Sequence, residues 1–183
     1  MRAGLAALDP ATGKVRFQVP WRSRSNASVN AALPVIDGNR VFISASYNTG
    51  AVLLDVSGSA PKQVWSSDDA LSNHYATSVL KDGHLYGFHG RQEMGQVLRC
   101  IEFNTGKVRW SEDGFGAGTV ALVGDKLLIL RENGEAITAP ASPTAFRAES
   151  RAQLLPGVVR SYPAIADGRI YVRNENTLAA YTH

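Results

Sequence analysis

Residues 100–110 read CIEFNTGKVRW, and residues 7–17 read ALDPATGKVRF. Laid over each other, they share a small residue, an acid two positions on, and then Thr-Gly-Lys-Val-Arg followed by an aromatic ring. Gly13 and Gly106 stand 93 residues apart. A phrase that returns at such a distance is the visible part of a repeat, so the rest of the unit has to be sought around it.

Four further stretches supply it: VIDGNRVFIS (35–44), VLKDGHLYGF (79–88), ALVGDKLLIL (121–130) and AIADGRIYVR (164–173). Each is an apolar strand, a two-residue Asp-Gly or Gly-Asp turn, and a second alternating strand. This is the strongest short signal for a hairpin, and a type I′ turn is expected, with positive φ at both central residues. The turn glycines Gly38, Gly83, Gly124 and Gly168 are spaced by 45, 41 and 44 residues. A third strand follows each hairpin: GAVLLDV (50–56), QVLRCIEF (96–103), EAITAP (135–140) and TLAAYT (177–182). A fourth follows the repeated phrase, in KQVWSS (62–67) and KVRWSE (107–112).

Four antiparallel strands in about 44 residues is the content of a β-propeller blade. The phrase itself is then the turn from third to fourth strand. Its aromatic, Phe17, Trp65 and Trp110, returns at intervals of 48 and 45 and is expected to pack between neighbouring blades. Asp9, Gly13, Gly106 and these rings recur with the blade and so read as residues that build it. The reading is an all-β chain, one propeller region over 1–183, with units near 1–22 (partial), 33–67, 77–112, 118–154 and 162–183 (partial). In the unit over 118–154, SPTAFRAESRAQL (142–154) carries no Thr-Gly-Lys and fits a strand or a helical turn.

LAAYTH at 178–183 aligns with LAALDP at 5–10, so the chain starts and stops on a third strand. Three arrangements follow: a closed ring of four blades, half of a ring of seven or eight, or two chains pairing head to tail. An open half exposes strand edges and blade faces, which makes self-association the expectation.

The bulk composition agrees with a folded domain: 183 residues, 44% hydrophobic, 19% charged. The net charge of +3 is scattered, with WRSRS (21–25) the densest patch, and no nucleic-acid partner is expected. No stretch reaches the roughly 18 apolar residues of a membrane span. The opening MRAGLAALDP has no apolar signal core. Cys100 is the single cysteine, which excludes an internal disulfide and Cys-based metal sites and points to a buried structural thiol. The NAS triplet at 26–28 fits a glycosylation sequon, a pattern too short to carry an argument.

The phrase Ala-x-Asp-x-x-Thr-Gly-Lys-x-x-aromatic resembles the tryptophan-docking repeat of PQQ-like, quinoprotein-type propellers. Ala7, Asp9, Thr12, Gly13, Lys14 and Phe17 fit it; Thr105, Gly106, Lys107 and Trp110 fit it with Cys100 and Glu102 as close substitutes. The resemblance implies a bacterial propeller that works in the periplasm or outside the cell. The family includes quinone-dependent dehydrogenases and a scaffold lipoprotein of outer-membrane assembly. PQQ and calcium are implied by the family but not supported: the dehydrogenases stack the quinone on a pair of adjacent cysteines, and this chain has one cysteine. Fold alone does not carry function.

In a propeller, ligands meet the loops before the first strands and those between second and third strands. Before the first strands stand Asn30, Asn73, His74, Tyr75, Thr119, Arg160 and Tyr162; between second and third strands stand Tyr47, Asn48, His89, Arg91, Glu93, Arg131, Glu132, Arg173 and Asn174. SNHYATS (72–78) and GFHGRQEMG (87–95) make the unit over 77–112 the richest. His74, His89 and Glu93 are expected near one another, as metal ligands or as an acid–base set. Arg91, Arg131, Arg160 and Arg173 could make a positive mouth for an anion, or be surface arginines paired to Glu93, Glu132 and Glu175.

No phosphate loop, zinc-protease helix or nucleophile elbow is present. The function expected is a non-catalytic scaffold that binds a protein, polymer or glycan at the mouth. The alternative is an enzyme, a hydrolase, lyase or quinoprotein-type oxidoreductase fragment, working through the His, Glu and Arg side chains.

Overall fold

The computed structural model describes residues 3–26 and 28–182, arranged in five successive antiparallel sheets. The first pairs β1 (Gly4–Leu8) with β2 (Val15–Pro20). The second runs β3 (Val35–Asp37), β4 (Arg40–Ala45), β5 (Gly50–Asp55), β6 (Lys62–Ser67). The third runs β7 (Val79–Lys81), β8 (His84–His89), β9 (Val97–Glu102), β10 (Val108–Glu112). The fourth runs β11 (Gly118–Val123), β12 (Lys126–Arg131), β13 (Glu135–Pro140), β14 (Ser150–Gln153). The fifth has β15 (Ala164–Ala166), β16 (Arg169–Arg173) and β17 (Leu178–Thr182). A short 3₁₀ turn at Gln92–Met94 interrupts the loop between β8 and β9.

Strands follow their neighbours in order within every sheet, as in a propeller blade. The middle strands explain the stack. β4, β5, β8 and β12 are buried along most of their length, because neighbouring sheets cover both faces. Their sequences are correspondingly near-continuous apolar runs. Four hydrophobic clusters fill the four junctions. Leu5, Val19 and Trp21 of the first sheet and the loop after it meet Val41, Ile43, Val52 and Leu54 of the second. Phe42, Leu53 and Trp65 meet Leu85, Ile101 and Phe103. Tyr86, Leu98, Cys100 and Trp110 meet Val120, Leu127 and Ile137. Leu128, Leu130 and Ala136 meet Ile170, Val172 and Tyr181. Among the described residues no strand pairing joins the fifth sheet to the first, and burial thins at both ends: β2 and β17 are half-exposed. The fold is all-β, about four blades, and the ring is not closed.

The hairpin turns are of two kinds rather than one. Asp82–Gly83 and Asp167–Gly168 have positive φ at both residues, the type I′ pattern. The second sheet turns on Gly38–Asn39, one residue later than the Asp-Gly spelling implies, with Asp37 paired to Arg40. There, and at Gly124–Asp125, only the glycine has positive φ, as in a II′ turn. Segment 142–154, left between strand and helical turn, ends in strand β14.

The repeated phrase builds a closed turn. Asp9 Oδ1 accepts from the backbone of Ala11 and Thr12 and from the Thr12 hydroxyl, at 3.0–3.1 Å. Its other oxygen meets Arg16 at 2.8 Å. Glu102 accepts from the Thr105 hydroxyl at 2.7 Å with one oxygen and meets Arg109 at 3.1 Å with the other. Beyond the turn a bulge shifts register between third and fourth strands, in the first, second and third sheets alike, beside Phe17, Trp65 and Trp110. A bulge re-aims side chains. Trp65 Nε1 donates to the Phe103 carbonyl of the third sheet at 2.9 Å, and Trp110 Nε1 to the Ser142 carbonyl beyond β13 at 2.8 Å.

Candidate functional site

The loops before the first strands converge on the axis. The Leu33 amide donates to Thr77 Oγ1 at 2.9 Å, and the Tyr162 hydroxyl meets the Thr77 backbone amide from the far side. Thr77 thus ties the second, third and fifth sheets together. Sequence reading passed over it, since a threonine in a loop carries no signal of its own. An apolar axial cavity lies here, with Tyr75 and Tyr162 on its wall.

Above it is the most concentrated cluster of the mouth. Tyr47 and Asn48 sit in the left-handed region, φ 63° and 60°, in the loop between β4 and β5. Such geometry is strained in a tyrosine and persists only where the surroundings fix it. Ser23 Oγ holds the Tyr47 carbonyl at 2.7 Å. The Tyr47 hydroxyl lies 3.1 Å from His74 Nε2, and the two rings meet edge to face at 5.3 Å. The Arg91 guanidinium covers the Tyr47 ring at 5.0 Å and pairs with Glu93 at 3.4 Å. Glu93 stands 4.0 Å from His74 Nδ1, a buried nitrogen with no hydrogen-bond partner.

Burial lowers the His74 pKa, and Arg91 lowers it further, against the pull of Glu93. Burial likewise pushes the Tyr75 hydroxyl up to about 12, and its oxygen has no partner. His89 does not join this group. Its Nδ1 accepts from the Ser72 amide at 3.1 Å, which requires the neutral ring with its proton on Nε2; burial lowers its pKa as well.

Three of the four mouth arginines are neutralised locally. Arg91 pairs with Glu93, Arg160 with Glu132, and Arg131 with Glu135 at 2.7 Å while lying over Phe115. Arg173 is exposed, and its carbonyl accepts from Ser161. The asparagines are structural: Asn30 donates to the Trp21 carbonyl, Asn73 to Ser78 and the Phe88 carbonyl, and Asn174 to the Pro156 carbonyl. Thr119 is buried with its hydroxyl unpaired.

The sequence profile described as "Outer membrane protein assembly factor BamB", of the PQQ_2 family, matches residues 2–110. The chain belongs to this PQQ-like β-propeller family. Solved structures share the fold of the PQQ-like chain. It overlays along its full length on 53% of the computationally designed Ika8 protein, with TM-score 0.69 and 12% identity. It overlays over 96% of its length on 62% of the Cps50 (Swd1) β-propeller domain from Myceliophteria thermophila, TM-score 0.69, 15% identity. Over 87% of its length it overlays on 94% of the designed Ika4 protein, TM-score 0.59, 14% identity. The chain thus spans between half and two thirds of the length of Ika8 and of the Cps50 domain. No curated protein matches it significantly.

The quinone and calcium that the family name brings to mind do not fit the residues present. Glu93, Glu132 and Glu135 are each held by an arginine, and Cys100 is sealed inside the third sheet at 0% exposure. Among the described residues no three His, Cys, Asp or Glu side chains converge as a metal site. No helix there is long and apolar enough to cross a membrane.

Proposed function

We propose that this PQQ-like propeller is a binding scaffold whose mouth, centred on Tyr47, His74, Arg91 and Glu93, receives a segment of a partner protein. The observation that carries the reading is the Arg91–Tyr47–His74 stack, fixed on a strained loop. Tyrosine and arginine held rigid are the residue types that dominate protein-binding hot spots. Tyr75, Tyr162 and the exposed Arg173 extend the surface towards the fifth sheet. The matched family, described as an assembly factor, is in keeping with a protein ligand and with work in the periplasm or outside the cell. A polymer or glycan on the same aromatic surface is the neighbouring possibility, and the uncovered faces of the first and fifth sheets are the place for self-association.

Panning a phage-displayed peptide library on the purified chain tests this. Enriched peptides should lose at least tenfold in affinity on a Tyr47→Ala/Arg91→Ala variant that keeps its circular dichroism. Enriched peptides that bind both proteins equally would refute the mouth as the site.

One observation favours the enzymatic reading: His74 Nδ1 has no hydrogen-bond partner and lies 4.0 Å from the Glu93 carboxylate, a spacing suited to an acid–base pair. Under that reading His74→Ala abolishes turnover of any substrate found. Under the scaffold reading it alters binding modestly.

A further inference from the structure

The junction between the fourth and fifth sheets is built differently from the two before it. In the second sheet Phe42, Leu53 and Trp65 stand abreast on neighbouring strands; in the third, Tyr86, Cys100 and Trp110 do. The ring of Phe42 lies 6.0 Å from Trp65, and that of Tyr86 6.0 Å from Trp110. The same register in the fourth sheet gives Leu128, Thr138 and Ser150. Every member of the row has shrunk or turned polar, and Thr138 and Ser150 satisfy each other at 2.7 Å. No register shift separates β13 from β14, so the bulge that aims the ring is gone with the ring.

What remains is an open groove of about 340 Å³, floored by Leu127, Leu128 and Thr138 and walled by Ile165 and Ile170 of the fifth sheet. That volume is in the range of small-molecule sites. Two cations stand at its rim. Lys126 is already bound to Glu149 at 2.7 Å, whereas exposed Arg169 has no carboxylate partner among the described residues.

We propose that this groove binds a free planar aromatic acid of about the size of indole-3-acetate. The ring takes the place that an indole fills at the two preceding junctions, and the carboxylate meets Arg169. The proposal does not depend on the mouth, which lies at the opposite ends of the strands.

Titration calorimetry with indole-3-acetate and with indole tests it. Indole-3-acetate should bind, and indole about tenfold more weakly, because the charge-assisted bond to Arg169 is lost. Arg169→Ala should bring indole-3-acetate down to the affinity of indole. Ser150→Trp, which restores the internal ring, should remove binding of both. Failure of both compounds to bind, or unchanged binding in a folded Ser150→Trp variant, overturns the proposal; unchanged affinity in Arg169→Ala overturns the assignment of an acid. Binding of a tryptophan-containing peptide in place of the free acid would equally overturn the choice of ligand.

Discussion

Gly106 lies directly beneath the indole of Trp65: a Cβ on that glycine would stand 2.9 Å from Cε3 of the ring. The contact runs between sheets, so the turn of one blade is the floor for the aromatic of the blade before it. Gly13 occupies the same place in the first copy of the phrase, with φ 68° against 73°, yet nothing lies within 4 Å of its missing Cβ. One glycine is therefore required by backbone alone and the other by backbone and packing.

The pair makes a controlled comparison. Gly13→Ala should cost about 1 kcal/mol, the penalty for a side chain in the left-handed region. Gly106→Ala should cost about 1 to 2 kcal/mol more, because the ring must shift. Trp65→Phe, which keeps the ring but loses the bond to the Phe103 carbonyl, should cost about 1 kcal/mol. Urea unfolding measures all three. Equal losses at Gly13 and Gly106 would mean the indole does not bear on the turn.

The acids of the phrase predict behaviour at low pH. Hydrogen bonds from Arg16 and Thr12 hold Asp9 below the usual carboxylate range, and those from Thr105, with Arg109 nearby, do the same for Glu102. A carboxylate whose pKa is depressed on folding lends stability above its unfolded pKa and loses it as pH falls through the folded one. Melting temperature should therefore drop below about pH 4.5. In an Asp9→Asn/Glu102→Gln double variant the drop should be shallower, from a lower starting point. An unchanged acid limb would show that these exposed turns are uncoupled from folding.

These turns also show how far the sequence could be read. Residues that recur at the blade period announced themselves, and the propeller followed from the spacing of the hairpins together with the strands and the repeated phrase between them. The reason for the acid and the arginine in the phrase did not, since the bond between positions seven apart exists only once the turn has closed. The Gly38–Asn39 turn was misplaced by one residue because Asp-Gly is a strong local signal, and the pairing of Asp37 with Arg40 outweighs it.

The mouth was less legible. The sequence placed His74, Arg91 and Glu93 in the right loops, and the structure brings these three together with Tyr47. It placed His89 there too, and the ring instead turns to the Ser72 backbone. Loop position follows from strand order; the direction of a side chain within a loop depends on contacts 17 to 27 residues away, as for His89 with Ser72 and His74 with Tyr47, and no local pattern records them.

Cys100 offers a probe of opening between sheets. It is fully buried between Tyr86 and Trp110, and burial pushes its thiol up to about 11. A buried protonated thiol does not react. Ellman's reagent at pH 8 should label the native protein only as fast as the third and fourth sheets separate, and Trp110→Ala should speed labelling by tenfold or more. Labelling at the rate of a free thiol would place Cys100 outside the core.

His89 gives the sharpest test near neutrality. Its Nδ1 must stay unprotonated to accept from Ser72, and burial together with Arg99 lowers its pKa. A histidine whose folded pKa is depressed stabilises the fold above its unfolded pKa of about 6.5, and the contribution is lost as pH falls below it. His74, lowered in the same direction, adds to the effect. The melting temperature should therefore fall between pH 7.5 and 5.5. His89→Asn keeps an acceptor near the Ser72 amide and cannot be protonated. It should flatten that slope while leaving the acid limb below pH 4.5 in place, because the turns that generate the acid limb sit on Asp9 and Glu102, and neither bonds to His89.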